Sequence, residues 1–134
     1  MLSPPLDYLR RALKLSAAND LDGAIAVIRE GIELCENDPQ YLDSLPRLTF
    51  NLGLFYRRQG RLADALHAVR RSLLLCPEDR SLLHAHADLL LESGEMSAAA
   101  LAAMELRSVC ERNPDTFTAE WADAVSLLEK RITG

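Results

Sequence analysis

The sequence predicts an all-α fold, and three observations support that prediction. Ala, Leu and Arg, which favour helices, dominate a chain of 134 residues. Apolar residues recur at helical spacing almost throughout the chain. Gly and Pro number only six each, which is too few for a loop-rich or all-β protein. We therefore expect one helical domain over residues 1–134, large enough to bury an ordinary core.

Composition also excludes several classes of function. The net charge is −5, which argues against a general nucleic-acid surface. No apolar run approaches the roughly 18 residues that a membrane span requires, so we expect no membrane insertion. The first residues, MLSPPLDYLRR, lack the apolar segment of a secretory signal. Three cysteines, an odd number, favour a reducing compartment, and we expect a cytoplasmic protein.

The first helix pair is predicted from its caps and its apolar stripe. Ser3 can cap the first helix, and Pro4 fits its first turn, where the missing N–H costs nothing. Asn19 or Asp20 is expected to cap the second helix, which ends at the ENDPQ stretch. Pro46 falls either just before the third helix or at a kink within a longer one.

The remaining helices follow from the same signals. Two helices are expected at 47–59 and 62–76, ended by Pro77, and two more at 79–93 and 96–112, ended by NPD. A seventh helix is expected at 116–131, capped by Asp115 or Thr116. Its apolar face would close the end of the stack and comprises Phe117, Trp121, Val125 and Leu128.

Residues 48–79 carry a spaced motif. Leu52-Gly53 is followed by Tyr56, Gly60 and Ala65, and the stretch ends at Pro77. This motif resembles the tetratricopeptide repeat, whose signature is W-x2-L-G-x2-Y, then A-x3-F, then P. Thr49 occupies the tryptophan position of the signature, which is a departure from it.

The motif recurs at two offsets. A shift of 34 residues forward aligns Gly60 with Gly94, and a shift of 41 residues backward aligns it with Asn19. The three copies span about 5–38, 46–79 and 80–113. Small residues in the motif, such as Gly53 and Ala65, would let paired helices approach closely. The resemblance therefore implies a right-handed superhelix of stacked antiparallel helix pairs, with about seven helices.

The cysteines follow the same offsets, because Cys35, Cys76 and Cys110 occupy one position at the end of each second helix. Equivalent positions in stacked pairs lie about 10 Å apart, and a disulfide needs Cα atoms within about 7 Å. We therefore expect three free thiols.

Catalytic and metal-binding patterns are absent from the sequence. His84 and His86 do not share a helix face, and His84 with Asp88 could hold a metal only with further ligands. No histidine stands at a spacing that suggests nucleophilic catalysis, and there is no phosphate-binding glycine-rich loop. We expect no enzymatic activity, no cofactor and no metal.

The resemblance instead implies protein binding in a concave groove lined by the first helix of each copy. Asn51 is the most specific groove residue, because its amide can bond both groups of a peptide backbone, although it could equally bond its own helix turn or solvent. The predicted groove residues are Leu9, Leu13, Arg47, Phe50, Asn51, Leu54, Arg57, Arg58, His84 and Asp88.

The partner is predicted by class only. The carboxylate clamp of chaperone-tail binders would need Lys and Asn in the first copy and Lys and Arg in the third. Those positions hold Leu9, Leu13, Ser81 and Ala85, so that role is not expected. We expect a protein or peptide partner bound by an adaptor or scaffold. The alternatives are a small secretion-type chaperone for an apolar segment, which the acidic three-repeat build resembles, and a self-associating scaffold or homodimer.

Overall fold

The structure, a computed structural model, describes residues 3–134, and within them it contains seven α-helices and no strand. The prediction of an all-α fold is confirmed. The helices are α1 (Pro4–Ala17), α2 (Leu21–Asn37), α3 (Leu45–Arg58), α4 (Leu62–Leu75), α5 (Arg80–Glu92), α6 (Met96–Arg112) and α7 (Ala119–Thr133). The chain forms two compact units, one ending at Leu75 and the other running from Cys76 to Gly134. That the whole chain is one domain stays a prediction.

The same tight turn joins the two helices of each copy. Asn19, Gly60 and Gly94 all have a positive φ, of 64°, 76° and 77°. Each turn is closed by a backbone hydrogen bond of 2.8–2.9 Å that spans five residues, as from Arg61 N–H to the Tyr56 carbonyl. Glycine adopts this left-handed conformation without strain, and asparagine is among the side chains that tolerate it best. The three copies therefore share the backbone conformation of this turn, although the residue at the turn is asparagine in the first copy and glycine in the other two.

The structure decides between the alternatives at two helix starts. Asp20, and not Asn19, caps α2, since its carboxylate accepts a 2.9 Å hydrogen bond from Gly23 N–H. Pro46 lies in the first turn of α3, directly after a short 3-10 helix at Pro39–Ser44. Pro46 therefore helps to start a new helix and does not kink a longer one. At α1, Ser3 occupies the cap position but its side chain makes no capping bond.

Close packing of α3 on α4 depends on Gly53. A Cβ atom at Gly53 would lie only 3.0 Å from Val69 Cγ2 and 3.3 Å from the Ala65 carbonyl oxygen. Ala65 and Val69 are completely buried. The small residues of the motif thus set the helix separation, as predicted.

Thr49, at the position where the family signature has tryptophan, makes a polar contact. Its buried hydroxyl bonds Ser72 Oγ on α4 and lies 3.0 Å from the Leu45 carbonyl. Ser72 is also completely buried, and its hydroxyl lies 3.1 Å from the Pro46 carbonyl. The two hydroxyls satisfy each other inside the interface, so the departure from the signature leaves no buried polar group without a partner.

In the second unit, α7 begins later than predicted. Residues Pro114–Thr116 form a 3-10 turn, and Thr118 caps α7 by accepting a 3.4 Å hydrogen bond from Trp121 N–H. The predicted caps Asp115 and Thr116 are therefore wrong. Phe117 precedes the helix and does not belong to its apolar face, which comprises Val125 and Leu128 in the core and the partly buried Trp121.

Arg80 fixes the segment that leads into α7. Its guanidinium donates 2.6 Å hydrogen bonds to the Thr116 carbonyl and to Thr116 Oγ1. The same guanidinium lies 5.9 Å from the centre of the Trp121 ring. The turn before α7 is therefore held by α5 through one arginine.

The three cysteines are all free thiols. Cys35 and Cys110 are buried in the last turns of α2 and α6, and the partly exposed Cys76 directly follows α4. Burial, with a smaller effect from the neighbouring Glu36, raises the pKa of the Cys35 thiol. The two buried thiols, Cys35 and Cys110, lie at helix ends and pack as small apolar groups.

Among residues 3–134, the helices are each too short or too polar to cross a lipid bilayer.

Candidate functional site

One side of α3 stays partly open to solvent. The opposite side buries Leu48 and Thr49, and Gly53 packs on α4. The residues on the open side recur every three or four positions, so they lie on one face of the helix. We call this set the α3 face: Arg47, Phe50, Asn51, Leu54, Arg57 and Arg58, all of which the sequence predicted as groove residues.

Asn51 makes a local bond within α3. Its Nδ2 donates a 2.9 Å hydrogen bond to the Arg47 carbonyl, one turn earlier in α3. An asparagine amide offers two donor hydrogens and one acceptor oxygen. One amide hydrogen and the carbonyl oxygen of Asn51 thus stay available to a peptide backbone, and the first hydrogen bond fixes the orientation of the amide.

Arg58 has a structural partner that sequence reasoning missed. Its guanidinium Nη1 donates to the Ser16 carbonyl at 3.2 Å and to Ser16 Oγ. Ser16 is buried near the end of α1. Arg58 therefore ties the end of α3 to the end of α1.

The two leucines predicted on α1 differ in exposure. Leu13 is 45% exposed, whereas Leu9 is 3% exposed and belongs to the core of the first unit. This burial corrects the assignment of Leu9 to an open groove. An apolar stripe on a helix contains core and surface members, and spacing alone does not separate them.

The predicted groove residues on α5 lie in the second unit. His84 is partly exposed, and its role stays a prediction. Asp88 is buried, and its Oδ1 lies 2.7 Å from Arg131 Nη1 on α7. This ion pair anchors the last helix to α5, which corrects the assignment of Asp88 to an exposed groove.

One cavity in the first unit was not predicted from the sequence. It has a volume of about 600 Å³, lies between α2 and α4, and has Leu52 and Tyr56 of α3 among its lining residues. A 2.6 Å ion pair between Arg71 and Glu36 links its two walls, and Arg61 lies 4.5 Å from the Tyr56 ring centre. The sequence could not predict this cavity, because the charged residues that line it have the same spacing as those of an ordinary solvent-exposed helix face.

One ion pair in the second unit, between Arg107 and Glu129, shifts the pKa values of both residues. Arg107 donates to Glu129 through Nε at 2.9 Å and through Nη2 at 2.5 Å, so the pair is bidentate. The hydrogen bond from Arg107 lowers the pKa of Glu129, and the same bond raises the pKa of Arg107. Within residues 3–134, no three His, Cys, Asp or Glu side chains lie close enough together to hold a metal ion.

Solved structures resemble this chain over nearly its full length. PcrH from Pseudomonas aeruginosa is 19% identical, with a TM-score of 0.77 over 100% of this chain and 96% of PcrH. The Yersinia enterocolitica type III secretion chaperone SycD, in complex with a peptide of the translocator YopD, is 18% identical. Its TM-score is 0.78 over 98% of this chain and 95% of SycD.

A tetratricopeptide repeat protein from Parabacteroides merdae is 23% identical, with a TM-score of 0.74 over 92% of this chain and 45% of that one. No curated protein sequence matches the chain. The tetratricopeptide repeat model matches residues 46–79, which are the middle copy. Residues 46–79 therefore match a tetratricopeptide repeat, and the solved structures share the helical fold of the chain.

Proposed function

We propose that the chain is a non-enzymatic protein-binding module that holds an extended segment of a partner protein against the α3 face. The observation that carries the proposal is the composition of that face. Phe50 and Leu54 are partly exposed beside the oriented amide of Asn51, on a helix whose other side is fixed in the core. A rigid helix with apolar contacts and a backbone-binding amide suits an extended peptide.

The chemistry of the segment follows from the charges of the α3 face. Arg47 is exposed, whereas Arg58 is bonded to Ser16. Guanidinium groups bind carboxylates through paired donors. The segment should therefore carry an acidic residue for Arg47, and apolar residues for Phe50, Leu54 and Leu13.

A second candidate is a secretion-type chaperone that shields an apolar segment of its client. It is favoured by the likeness over nearly the whole of both chains to SycD, bound to a translocator peptide. PcrH has likewise been solved with the chaperone binding region of PopD, at 19% identity to this chain and a TM-score of 0.74. Three free thiols fit a cytoplasmic site of action for either candidate.

The experiment begins with a random peptide library displayed on phage and selected on the full chain. A selected peptide, made with a fluorescent label, is then titrated by anisotropy against wild type and against Asn51→Ala. If the lost backbone contact is worth roughly 1–1.5 kcal/mol, affinity should fall about tenfold. Leu54→Asp should weaken an acidic and apolar peptide further, by removing an apolar contact and adding repulsion.

Leu74→Asp serves as the matched control, because Leu74 is 84% exposed near the end of α4 and lies outside the α3 face. This variant should bind the peptide as wild type does. Selected peptides without acidic residues would contradict the predicted charge preference. Equal affinity for wild type, Asn51→Ala and Leu54→Asp, all folded by circular dichroism, would exclude the α3 face as the binding surface.

A further inference from the structure

The last helix, α7, has little buried apolar surface. Of its fifteen residues only Val125 and Leu128 are buried, whereas every other helix that the structure describes buries at least four residues. Trp121 and Ile132 extend the apolar side of α7 but stay partly exposed. Because packing of an apolar face supplies most of the stability of a helix in a protein, α7 is held less firmly than its neighbours α5 and α6.

Two ion pairs add to this apolar contact near the end of α7. Glu129 accepts the paired hydrogen bonds of Arg107 on α6, and Arg131 Nη1 lies 2.7 Å from Asp88 Oδ1 on α5. One pair thus reaches each neighbouring helix. The side chains of Arg107, Glu129 and Arg131 are 39%, 39% and 42% exposed, so salt screens both pairs and each contributes modestly. We call them the α7 ion pairs.

Packing is incomplete beside the α7 ion pairs. A slot of about 190 Å³ lies between α6 and the end of α7, lined by Ala100, Ala103, Ile132 and Thr133 among others. Unfilled volume of this kind forfeits the dispersion contacts that a close-packed interface makes. The end of α7 therefore depends on the α7 ion pairs more than its middle does.

The start of α7 has a separate attachment. Arg80 of α5 donates 2.6 Å hydrogen bonds to the Thr116 carbonyl and to Thr116 Oγ1, and its guanidinium lies 5.9 Å from the centre of the Trp121 ring. None of these contacts involves the α7 ion pairs. The segment before α7 can therefore stay in place when those pairs open.

The position on α5 that α7 covers corresponds to an open position on α3. Asp88 stands 34 residues after Leu54, so it holds in the third copy the position that Leu54 holds on the α3 face. Leu54 is partly exposed. Asp88 is buried, with its side chain 13% exposed while it pairs with Arg131. The end of α7 therefore masks on α5 a position that is accessible on α3.

We propose that α7 is a hinged helix. Its C-terminal half leaves α5 and α6 when the α7 ion pairs open, while Arg80 still holds its start, and this release uncovers α5 at Asp88. Because the attachment is partly ionic, the released fraction rises with ionic strength. Use of the uncovered face as a binding surface depends on the proposed function, whereas the release itself does not.

Hydrogen exchange of the full chain at fixed pH, followed by mass spectrometry, measures the release. Amides of residues 125–133 should exchange at least about tenfold faster than the central amides of α6. Raising sodium chloride from about 50 mM to about 1 M should speed them a further twofold to fivefold or so, because it screens both ion pairs. Arg131→Gln should have an effect of similar size at low salt. The matched control is Lys130→Gln, which removes an exposed charge next to both pairs and should leave the exchange unchanged.

Two further measurements test the hinge and the uncovered face. Arg80→Gln should speed exchange in residues 119–124 as well, because it frees the start of α7. Carboxyl labelling with a carbodiimide and an amine should modify Asp88 faster at high salt, relative to the exposed Asp43, in parallel with exchange in α7. These substitutions replace partly exposed side chains, so the variants should fold, which circular dichroism verifies. None of the measurements involves a bound partner, so their outcome is independent of the proposed function.

The outcomes that contradict the proposal are distinct. Amides of 125–133 that exchange as slowly as those of α6, or that respond to neither salt nor Arg131→Gln, would overturn the release. Labelling of Asp88 that does not follow the exchange of α7 would overturn the uncovering of α5. Exchange in 119–124 that is unchanged in Arg80→Gln would exclude Arg80 as the hinge.

Discussion

Replacing Thr49 by valine should destabilise the first unit, because it removes a buried hydroxyl while keeping the shape of the side chain. In the structure this hydroxyl bonds Ser72 Oγ, the Leu45 carbonyl and the Pro46 carbonyl. A net intramolecular hydrogen bond is worth about 1 kcal/mol, so the expected loss in the free energy of unfolding is about 1–2 kcal/mol. Ser72→Ala should cost a similar amount.

The double variant should cost less than the two single variants together. In Thr49→Val, Ser72 keeps acceptors in the Pro46 carbonyl at 3.1 Å and the Ala68 carbonyl at 3.3 Å. The bond between the two hydroxyls is lost in each single variant but only once in the double variant. The coupling energy should therefore be about 1 kcal/mol.

Urea unfolding followed by circular dichroism at the helical band measures all four proteins. Ser108→Ala is the control, since that serine is exposed on α6 and its replacement should change stability little. Effects at Thr49 and Ser72 that add within about 0.3 kcal/mol would refute the shared bond. So would a Thr49→Val variant more stable than wild type.

Three further outcomes are expected. Gly60→Ala should lower the free energy of unfolding by about 1 kcal/mol, since φ is +76° there, and a thermal melt no lower than that of wild type would contradict it. Cys76 should react with a thiol reagent well before Cys35, because Cys35 is buried and its pKa is raised, and denatured protein should yield all three thiols. Glu129→Gln should destabilise the second unit at neutral pH only. The hydrogen bond from Arg107 lowers the pKa of Glu129, so its contribution is present above the ordinary value of 4.5 and is lost as the pH falls through the lowered value. An undiminished difference from wild type in urea melts at about pH 3 would contradict this.

The helices could be predicted closely because their signals are local. Asp20 and the glycine turns lie in the sequence beside the helix ends that they define. The predicted and observed bounds of α3, α4, α5 and α6 differ by at most two residues. The start of α7 was missed because Asp115, Thr116 and Thr118 are all capable caps. The choice of Thr118 depends on Arg80, which holds the preceding turn from 36 residues away.

The candidate site was less predictable, because burial depends on contacts between distant residues. Leu9 and Leu13 lie four residues apart in α1 and therefore belong to the same apolar stripe, yet only Leu13 is exposed to solvent. Arg58 was expected to face a ligand, but its partner Ser16 lies 42 residues earlier. Asp88 likewise meets Arg131 on a helix that the repeat pattern does not describe. Such contacts between distant residues depend on how the helices pack, and the spacing of residues along the sequence does not predict them.

The left-handed turns at Asn19, Gly60 and Gly94 bear on how the chain is synthesised. Each turn closes a helix pair with residues adjacent in sequence, and the first pair, α1 with α2, is complete by Asn37. Contacts between residues close in sequence form fast, since little loop entropy is lost. The first pair could therefore form while the ribosome is still adding later residues, at roughly 5–20 residues per second. Leu9, Ala12 and Ile28, which are buried in the complete fold, all belong to this first pair.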